Sequence, residues 1–301
     1  MISASDITVV IPTSGKRELS ILNAVNSVLK QTEPVFEVLV IWDGVGEPFK
    51  FLHTLSDKVH IIRTQKPLSG VSVARQTGVN HASRDLICIL DDDDIWVETK
   101  VADQIGLMFE HNNKHNVFSF GRSTLVYENG KVKNTVPIQK FKENDTLVDF
   151  FFRKIPIVNA QKTCSSSTFM FSKELALQFP FRVDLEADED TDFIFRINNK
   201  CKVFYTHKVI TITTFRNVGG EGLSNTKRNI EDWLEWVESL KRYTDAQVIS
   251  NIKVVYGVRH YLKQKKTGPA IKLLVGTLFE KPDLISTTTG IVLFFRKILG
   301  K

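Results

Sequence analysis

Between residues 7 and 96, short apolar runs alternate with amphipathic stretches, and no other pattern in the 301 residues restricts the fold as much. Ile7-Thr8-Val9-Val10-Ile11 stops at Pro12-Thr13-Ser14-Gly15, and Leu19, Leu22, Val25, Val28 and Leu29 then mark one face of a helix expected over 18–31. Strands follow at 36–42, 59–63 and 86–90, separated by helices at 49–56 and 71–82. Alternation of this kind implies right-handed βαβ crossovers and a mostly parallel sheet covered by helices.

The fourth run, Leu86-Ile87-Cys88-Ile89-Leu90, leads directly into Asp91-Asp92-Asp93-Asp94-Ile95-Trp96. Adjacent carboxylates repel, so a folded chain holds them best in solvent or around a cation. Ligands of open α/β sheets bind beyond the carboxyl ends of the strands. A hard Mg²⁺ or Mn²⁺ ion at such a place takes carboxylate oxygens and shares the phosphates of a substrate. Taken alone, the acidic run reads equally as a solvated turn.

A composition of 42% hydrophobic and 25% charged residues is ordinary for a globular chain and argues against disorder. Cys88, Cys164 and Cys201 are odd in number and far apart, so neither a disulfide framework nor a zinc spacing is present. His207 and His260 each lack a second ligand at useful spacing. The first residues have no basic segment followed by a long apolar core, and no apolar stretch reaches the roughly 18–20 residues that span a bilayer. A cytoplasmic location is the expectation. The net charge of +6 is uneven: residues 241–301 hold twelve Lys and Arg against three Asp and Glu, which leaves the remainder net negative.

Beyond Trp96 a helix is expected to about residue 112, then a strand over 117–126, a polar loop over 131–142 and a helical piece over 147–152. A serine-rich segment enters a strand over 165–171. A second acidic cluster at 186–192 opens a helix, where carboxylates favour the positive end of the dipole. Strands at 203–205 and 209–215 precede a glycine-containing loop, 217–225, of the sort that covers sites. From 229 onward the spacing is helical, as in Trp233, Trp236, Val237 and Leu240. A catalytic domain over 1–228 and a basic helical extension over 229–301 is the simplest division.

In order along the chain, Val9-Val10-Ile11-Pro12-Thr13 with the helix ending Ser27-Val28-Leu29-Lys30-Gln31-Thr32, then Val40-Ile41-Trp42-Asp43-Gly44, Gly70-Val71-Ser72-Val73-Ala74-Arg75-Gln76-Thr77-Gly78 and Leu90-Asp91-Asp92-Asp93-Asp94-Ile95-Trp96 resemble the inverting glycosyltransferases of family 2. Glu189-Asp190-Thr191-Asp192 extends the resemblance. It implies an α/β fold of the GT-A, Rossmann-like type, a mostly parallel central sheet flanked by helices, here with a helical C-terminal extension. It also implies an Mn²⁺ or Mg²⁺ cofactor held at a DxD-type motif. The donor would be a nucleotide sugar, UDP-linked, and the acceptor a glycan or lipid-diphosphate-linked glycan of a surface polysaccharide.

Carried over residue by residue, Pro12, Thr13, Asp43, Arg75, Asp91, Asp92 and Asp93 would bind the donor, with Asp93 and Asp91 on the metal. Asp190 would be the base, and Glu189 and Asp192 would bind acceptor hydroxyls. Inversion needs one base for the attacking hydroxyl and neutralisation of the leaving diphosphate, so a single carboxylate suffices. Asp188 and Asp192 are alternative bases, and Asp94 is expected to cap the next helix. Trp42 stands where the family usually has an acid, and its ring either packs on the base or belongs to the strand core. Arg216 would help close the donor pocket. The basic C-terminal helices would either touch anionic lipid at the inner face of the plasma membrane, through Lys263, Lys265, Lys266, Arg296 and Lys297, or pack as a solvated bundle. The rival readings are a nucleotidyltransferase, for which Ser14-Gly15-Lys16-Arg17 is a faint phosphate loop, and a non-catalytic protein binding membrane or nucleic acid. With the transferase reading, no nucleic acid is expected.

Overall fold

The structure, a computed structural model, describes residues 2–108, 114–156, 164–185, 187–215 and 229–298. It separates into two compact units. One comprises Met1–Pro137, Cys164–Phe193 and Lys200–Thr226; the other comprises Ile138–Thr163, Ile194–Asn199 and Lys227–Lys301.

The first unit is built on a sheet that holds nine strands among the described residues: β1 (Ile7–Thr13), β2 (Glu37–Trp42), β3 (Val59–Arg63), β4 (Leu86–Ile89), β5 (Ile95–Trp96), β6 (Val117–Tyr127), β7 (Val132–Val136), β8 (Met170–Ser172) and β9 (Lys202–Phe215). The order is β3-β2-β1-β4-β8-β6-β9-β5, with β7 on β6. β3, β2, β1 and β4 are mutually parallel, as the alternation requires. Every residue of β1, β2 and β4 is buried, which is why these strands read as continuous apolar runs rather than as alternating ones.

Two helices cover this parallel half, α1 (Glu18–Leu29) and α2 (Val71–His81). The expected face of α1 is corrected. Its buried stripe is Ile21, Ala24, Val25 and Val28, at spacing i, i+3, i+4, i+7, while Leu19 is 75% exposed on the first turn. In α2 an added Cβ on Gly78 would lie 2.2 Å from Cγ1 of Val10, so the helix rests directly on β1 and needs glycine there. The helix expected over 49–56 is a single 3₁₀ turn, Lys50–His53.

Past β5 lies α3 (Lys100–Met108), followed by the mixed half of the sheet. β8 runs antiparallel to β4, with Leu86 opposite Ser172 and Cys88 opposite Met170. The segment entering β8 therefore meets the segment leaving β4, and the serines at 165–167 arrive beside the Asp run. The polar stretch expected as a loop over 131–142 contains β7 instead. Gly130, at φ 78, closes a hairpin onto β6, and a strand lying on this solvated edge has no apolar alternation to betray it. The two short strands expected near 203 and 209 are one, β9, which pairs along β6 across two register shifts. α4 (Lys173–Gln178) follows β8, and α5 (Glu189–Ile197) opens on the second acidic cluster.

The second unit is helical: α6 (Ile230–Ser239), α7 (Ala246–Ile252), α8 (Val258–Lys263), α9 (Thr267–Phe279) and α10 (Leu284–Ile298). Ile230, Val258, Tyr261, Leu262, Ala270 and Phe294 form its core. A π-helical turn, Asp149–Arg153, and Ile155 join it: Arg153 donates to Asp149, and Ile155 N–H donates to Ser286 Oγ at 2.9 Å.

Candidate active site

The candidate site lies in the first unit, at the carboxyl ends of the parallel strands. At the end of β1, Thr13 Oγ1 donates to Asp92 Oδ2 at 2.6 Å and accepts from the N–H of Gly15. Beyond β2, the Asp43 carboxylate accepts from Thr64 Oγ1 at 2.7 Å, Ser69 N–H at 2.9 Å and Gly70 N–H at 2.8 Å. It thereby fixes the turn that starts α2. Pro12 is buried in β1 beside these groups.

The four aspartates divide by environment. The side chains of Asp91 and Asp93 keep 30% and 21% exposure, whereas that of Asp92 keeps 8% and Asp94 is buried. Burial pushes the Asp92 carboxyl up to about 6, against the pull of Thr13 and Arg17. Asp94 is pushed up by burial and by the charges of Asp91 and Asp93, although hydroxyl donors oppose the shift. It does not cap α3, which begins six residues later. It sits instead beneath the acidic loop, accepting from Ser165 Oγ at 3.0 Å, Ser167 Oγ at 2.6 Å, Thr213 Oγ1 at 3.2 Å and Thr214 N–H at 3.3 Å.

Arg75, on α2, joins the two acidic clusters. Its buried guanidinium donates through Nη2 to Asp91 Oδ1 at 2.7 Å and to Ser166 Oγ at 2.9 Å, and through Nη1 to Glu189 Oε1. Ser166 in turn donates to Asp91 Oδ2 at 3.1 Å. Burial raises the Glu189 carboxyl while Arg75 pulls it down, and burial likewise raises that of half-buried Asp190, again opposed by Arg75 and reinforced by Asp188 and Asp91. A carboxyl shifted upward in this way is a better proton acceptor near neutral pH than an ordinary aspartate. Asp192 is buried one turn into α5 with Arg182 Nη1 3.9 Å from its Oδ1.

Among the described residues no three His, Cys, Asp or Glu side chains converge as a metal cluster. A divalent ion that grips a diphosphate needs only one or two carboxylates from the protein, because the phosphates and water complete its shell. Asp91 and Asp93 are spaced two apart and are the partly exposed pair, so they fit such an ion. Asp92 and Asp94, turned inward onto hydroxyls, do not.

Three further groups of residues reach the candidate site, none of them marked by the resemblance. Arg17, in the loop after β1, places Nη1 2.7 Å from Asp92 Oδ1 and 2.9 Å from Asp93 Oδ2. Ser165, Ser166 and Ser167 hold Asp91 and Asp94 in place; three hydroxyls at the mouth of a strand were their signal. Cys164 lies near Asp190, and its thiol is pushed up by burial and then by the Asp190 charge. Trp42 is strand core: its ring meets Phe49 edge-on at 5.2 Å, and a Cβ on Gly15 would come within 2.5 Å of it. Arg216, the loop 217–225 and Glu186 lie outside the described residues.

Comparisons with known proteins bear on the family and the fold. The UDP-Glc:alpha-D-GlcNAc-diphosphoundecaprenol beta-1,3-glucosyltransferase WfgD of Escherichia coli is 32% identical over 47% of this chain and 54% of its own. The chain thus spans about half the length of that relative. The amylovoran biosynthesis glycosyltransferase AmsB of Erwinia amylovora is 20% identical over 78% of the chain and 77% of its own, and the putative teichuronic acid biosynthesis glycosyltransferase TuaG of Bacillus subtilis is 27% identical over 45% and 51%. Among solved structures, S. aureus TarS 1–349 in complex with UDP superposes with a TM-score of 0.63 at 14% identity, covering 98% of this chain and 92% of that one. The complex of the same protein with UDP-GlcNAc gives 0.61 at 17% identity, covering 97% and 81%. At these identities the structural likeness speaks for the GT-A-like fold. The sequence model described as glycosyl transferase family 2 matches residues 8–176, more than half of the chain, and the chain belongs to that family.

Proposed function

We propose that the protein transfers a hexose or N-acetylhexosamine, with inversion, from a UDP-sugar to a glycan or lipid-diphosphate-linked glycan acceptor during surface polysaccharide synthesis. The observation that carries this reading is the position of Arg75, bonded at once to Asp91 of the donor cluster and to Glu189 of the acceptor cluster. One buried cation thus sets the distance between the place where a diphosphate leaves and the place where a hydroxyl attacks. Fixing that distance is the main requirement of a single in-line displacement.

Asp190, at the start of α5, takes the proton of the acceptor hydroxyl as that oxygen attacks the anomeric carbon. Glu189 and Asp192 orient the acceptor. Thr13 and Asp92 lie against the nucleotide, and Asp43 Oδ2, which accepts one N–H bond, retains the capacity to accept a second from the imide N–H of uracil. Asp91 and Asp93 would hold Mn²⁺ or Mg²⁺, which when bound neutralises the charge developing on the departing diphosphate. Arg75, and Arg17 at the same loop, supply fixed positive charge on either side. The activities for which the bacterial relatives are named and the UDP-bound state of the structural neighbour support the donor and acceptor classes. The same reading puts the protein in the cytoplasm, at the inner face of the membrane that carries such acceptors.

Calorimetry with UDP and Mn²⁺, together with turnover on a lipid-diphosphate-linked acceptor, tests it. Asp190→Asn should keep UDP binding and lose transfer, whereas Asp93→Ala should lose metal-dependent UDP binding. Retained turnover in Asp190→Asn would overturn the assignment of the base.

A further inference from the structure

The second unit carries an apolar surface that its own core leaves uncovered. α9 turns Ala270 and Thr277 inward, with Leu273 and Leu274 partly buried against the core. Its opposite side is not polar. Ile271, Val275 and Leu278 are 45%, 49% and 41% exposed, and Phe279 is 83% exposed. On α10, Leu284 is 81%, Ile285 44% and Phe295 55% exposed. Leu284 and Phe295 are eleven residues apart, close to three full turns, so they share a face. Lys281 takes the left-handed conformation, at φ 57, and Pro282 follows, which ends α9 abruptly. Phe279 and Leu284 consequently flank one sharp corner.

A helix that is apolar nearly all round belongs in a core or a bilayer, not in water. No helix among the described residues is long and apolar enough to cross a membrane, so a position along the bilayer surface remains. The charge around the patch is predominantly positive. Lys272, Arg296 and Lys297 are exposed on these helices, Lys281 is exposed at the corner between them, and Lys263, Lys265 and Lys266 are exposed just before α9. The two acids of the corner are already used: Glu280 accepts from Lys253 Nζ at 2.9 Å, and Asp283 accepts from Ile285 N–H at 2.9 Å and Ser286 N–H at 3.2 Å to cap α10. A second copy of the chain would bring two such basic rims together, because a twofold contact pairs a patch with itself.

We propose that the α9–α10 face docks on an anionic bilayer, with Phe279 and Leu284 in the acyl boundary and Lys272, Lys281, Arg296 and Lys297 among the headgroup phosphates. Apolar insertion supplies the hold, and each basic side chain near the surface strengthens it roughly fivefold. The inference rests on the second unit alone, so its failure with donor binding intact would leave the transfer reading untouched.

The test is flotation of the full chain with phosphatidylglycerol–phosphatidylethanolamine vesicles and with phosphatidylcholine vesicles, alongside sedimentation velocity without lipid. The expected result is salt-sensitive binding to the anionic vesicles alone, weakened about tenfold or more in the double variant Phe279→Ser, Leu284→Ser and in Lys281→Ala, Arg296→Ala, Lys297→Ala. Phe279→Trp should retain binding and show a blue-shifted indole on those vesicles, which separates insertion from a folding defect. No binding to anionic vesicles at low salt, binding indifferent to both variants, or a dimer that the serine variant dissociates would overturn the proposal.

Discussion

Arg75 and Glu189, 114 residues apart in sequence, form an ion pair in which both side chains are almost wholly buried. Buried charges persist when partners and hydrogen bonds compensate the lost water, and Asp91 and Ser166 complete that compensation here. The pair is therefore both a structural clamp and a component of the candidate site. Arg75→Ala should cost about 3–5 kcal/mol in a urea titration. Glu189→Gln, which keeps an acceptor, should cost less, and the double variant should cost less than the sum of the two singles.

Arg17 occupies the carboxylates of Asp92 and Asp93. A cation binding at Asp93 must compete with the guanidinium. Arg17→Gln should bind Mn²⁺ about tenfold more tightly without nucleotide, measured by calorimetry, whereas Arg17→Lys should stay close to the parent.

Asp93 and Asp94 are adjacent but differ in environment, one partly exposed and the other buried. Asp93→Ala should abolish metal-dependent turnover with a stability change under about 1 kcal/mol. Asp94→Ala leaves Ser165, Ser167, Thr213 and Thr214 without their acceptor and should cost about 2–4 kcal/mol. Thermal unfolding and turnover of the two variants separate the roles.

The carboxyls of Asp92, Asp94 and Glu189 are all raised in the folded protein. Between the unfolded and folded values the native state binds more protons than the unfolded chain, so stability falls as pH rises through that interval. For Asp92 the interval runs from 3.8 to about 6. Denaturation of the metal-free protein should thus become easier from about pH 4 to 6 and beyond, and Asp92→Asn should flatten that slope.

Gly78 lies one turn after Arg75, where a methyl group would overlap Val10. Gly78→Ala should lift α2 from β1, cost about 1–3 kcal/mol and weaken donor binding through the displaced guanidinium. Normal nucleotide affinity in a folded Gly78→Ala protein would count against that coupling.

The parallel half of the fold was legible because strands buried on both faces must be apolar throughout, and the acids stand where such strands end. β7 was not, since an edge strand on the solvated side carries no periodicity. Leu19 misled the reading of α1 because hydrophobicity alone does not say which side of a first turn faces the sheet. The acid clusters could be named from spacing, yet the division between Asp91 and Asp93 on one side and Asp92 and Asp94 on the other depends on serines more than 70 residues away. Arg17 is equally remote from its partners, 75 residues from Asp92. Contacts of that kind are made by the antiparallel pairing of β8 with β4 and by the βαβ crossovers, and neither leaves a local trace.

The most direct measurement of the central claim is release of nucleoside diphosphate from a panel of nucleotide sugars by the purified protein with Mn²⁺, with and without EDTA, alongside Asp93→Ala and calorimetry with UDP. Slow hydrolysis of one UDP-sugar, abolished by EDTA and by Asp93→Ala, is the expected result. No release from any donor together with no detectable UDP binding would contradict the account.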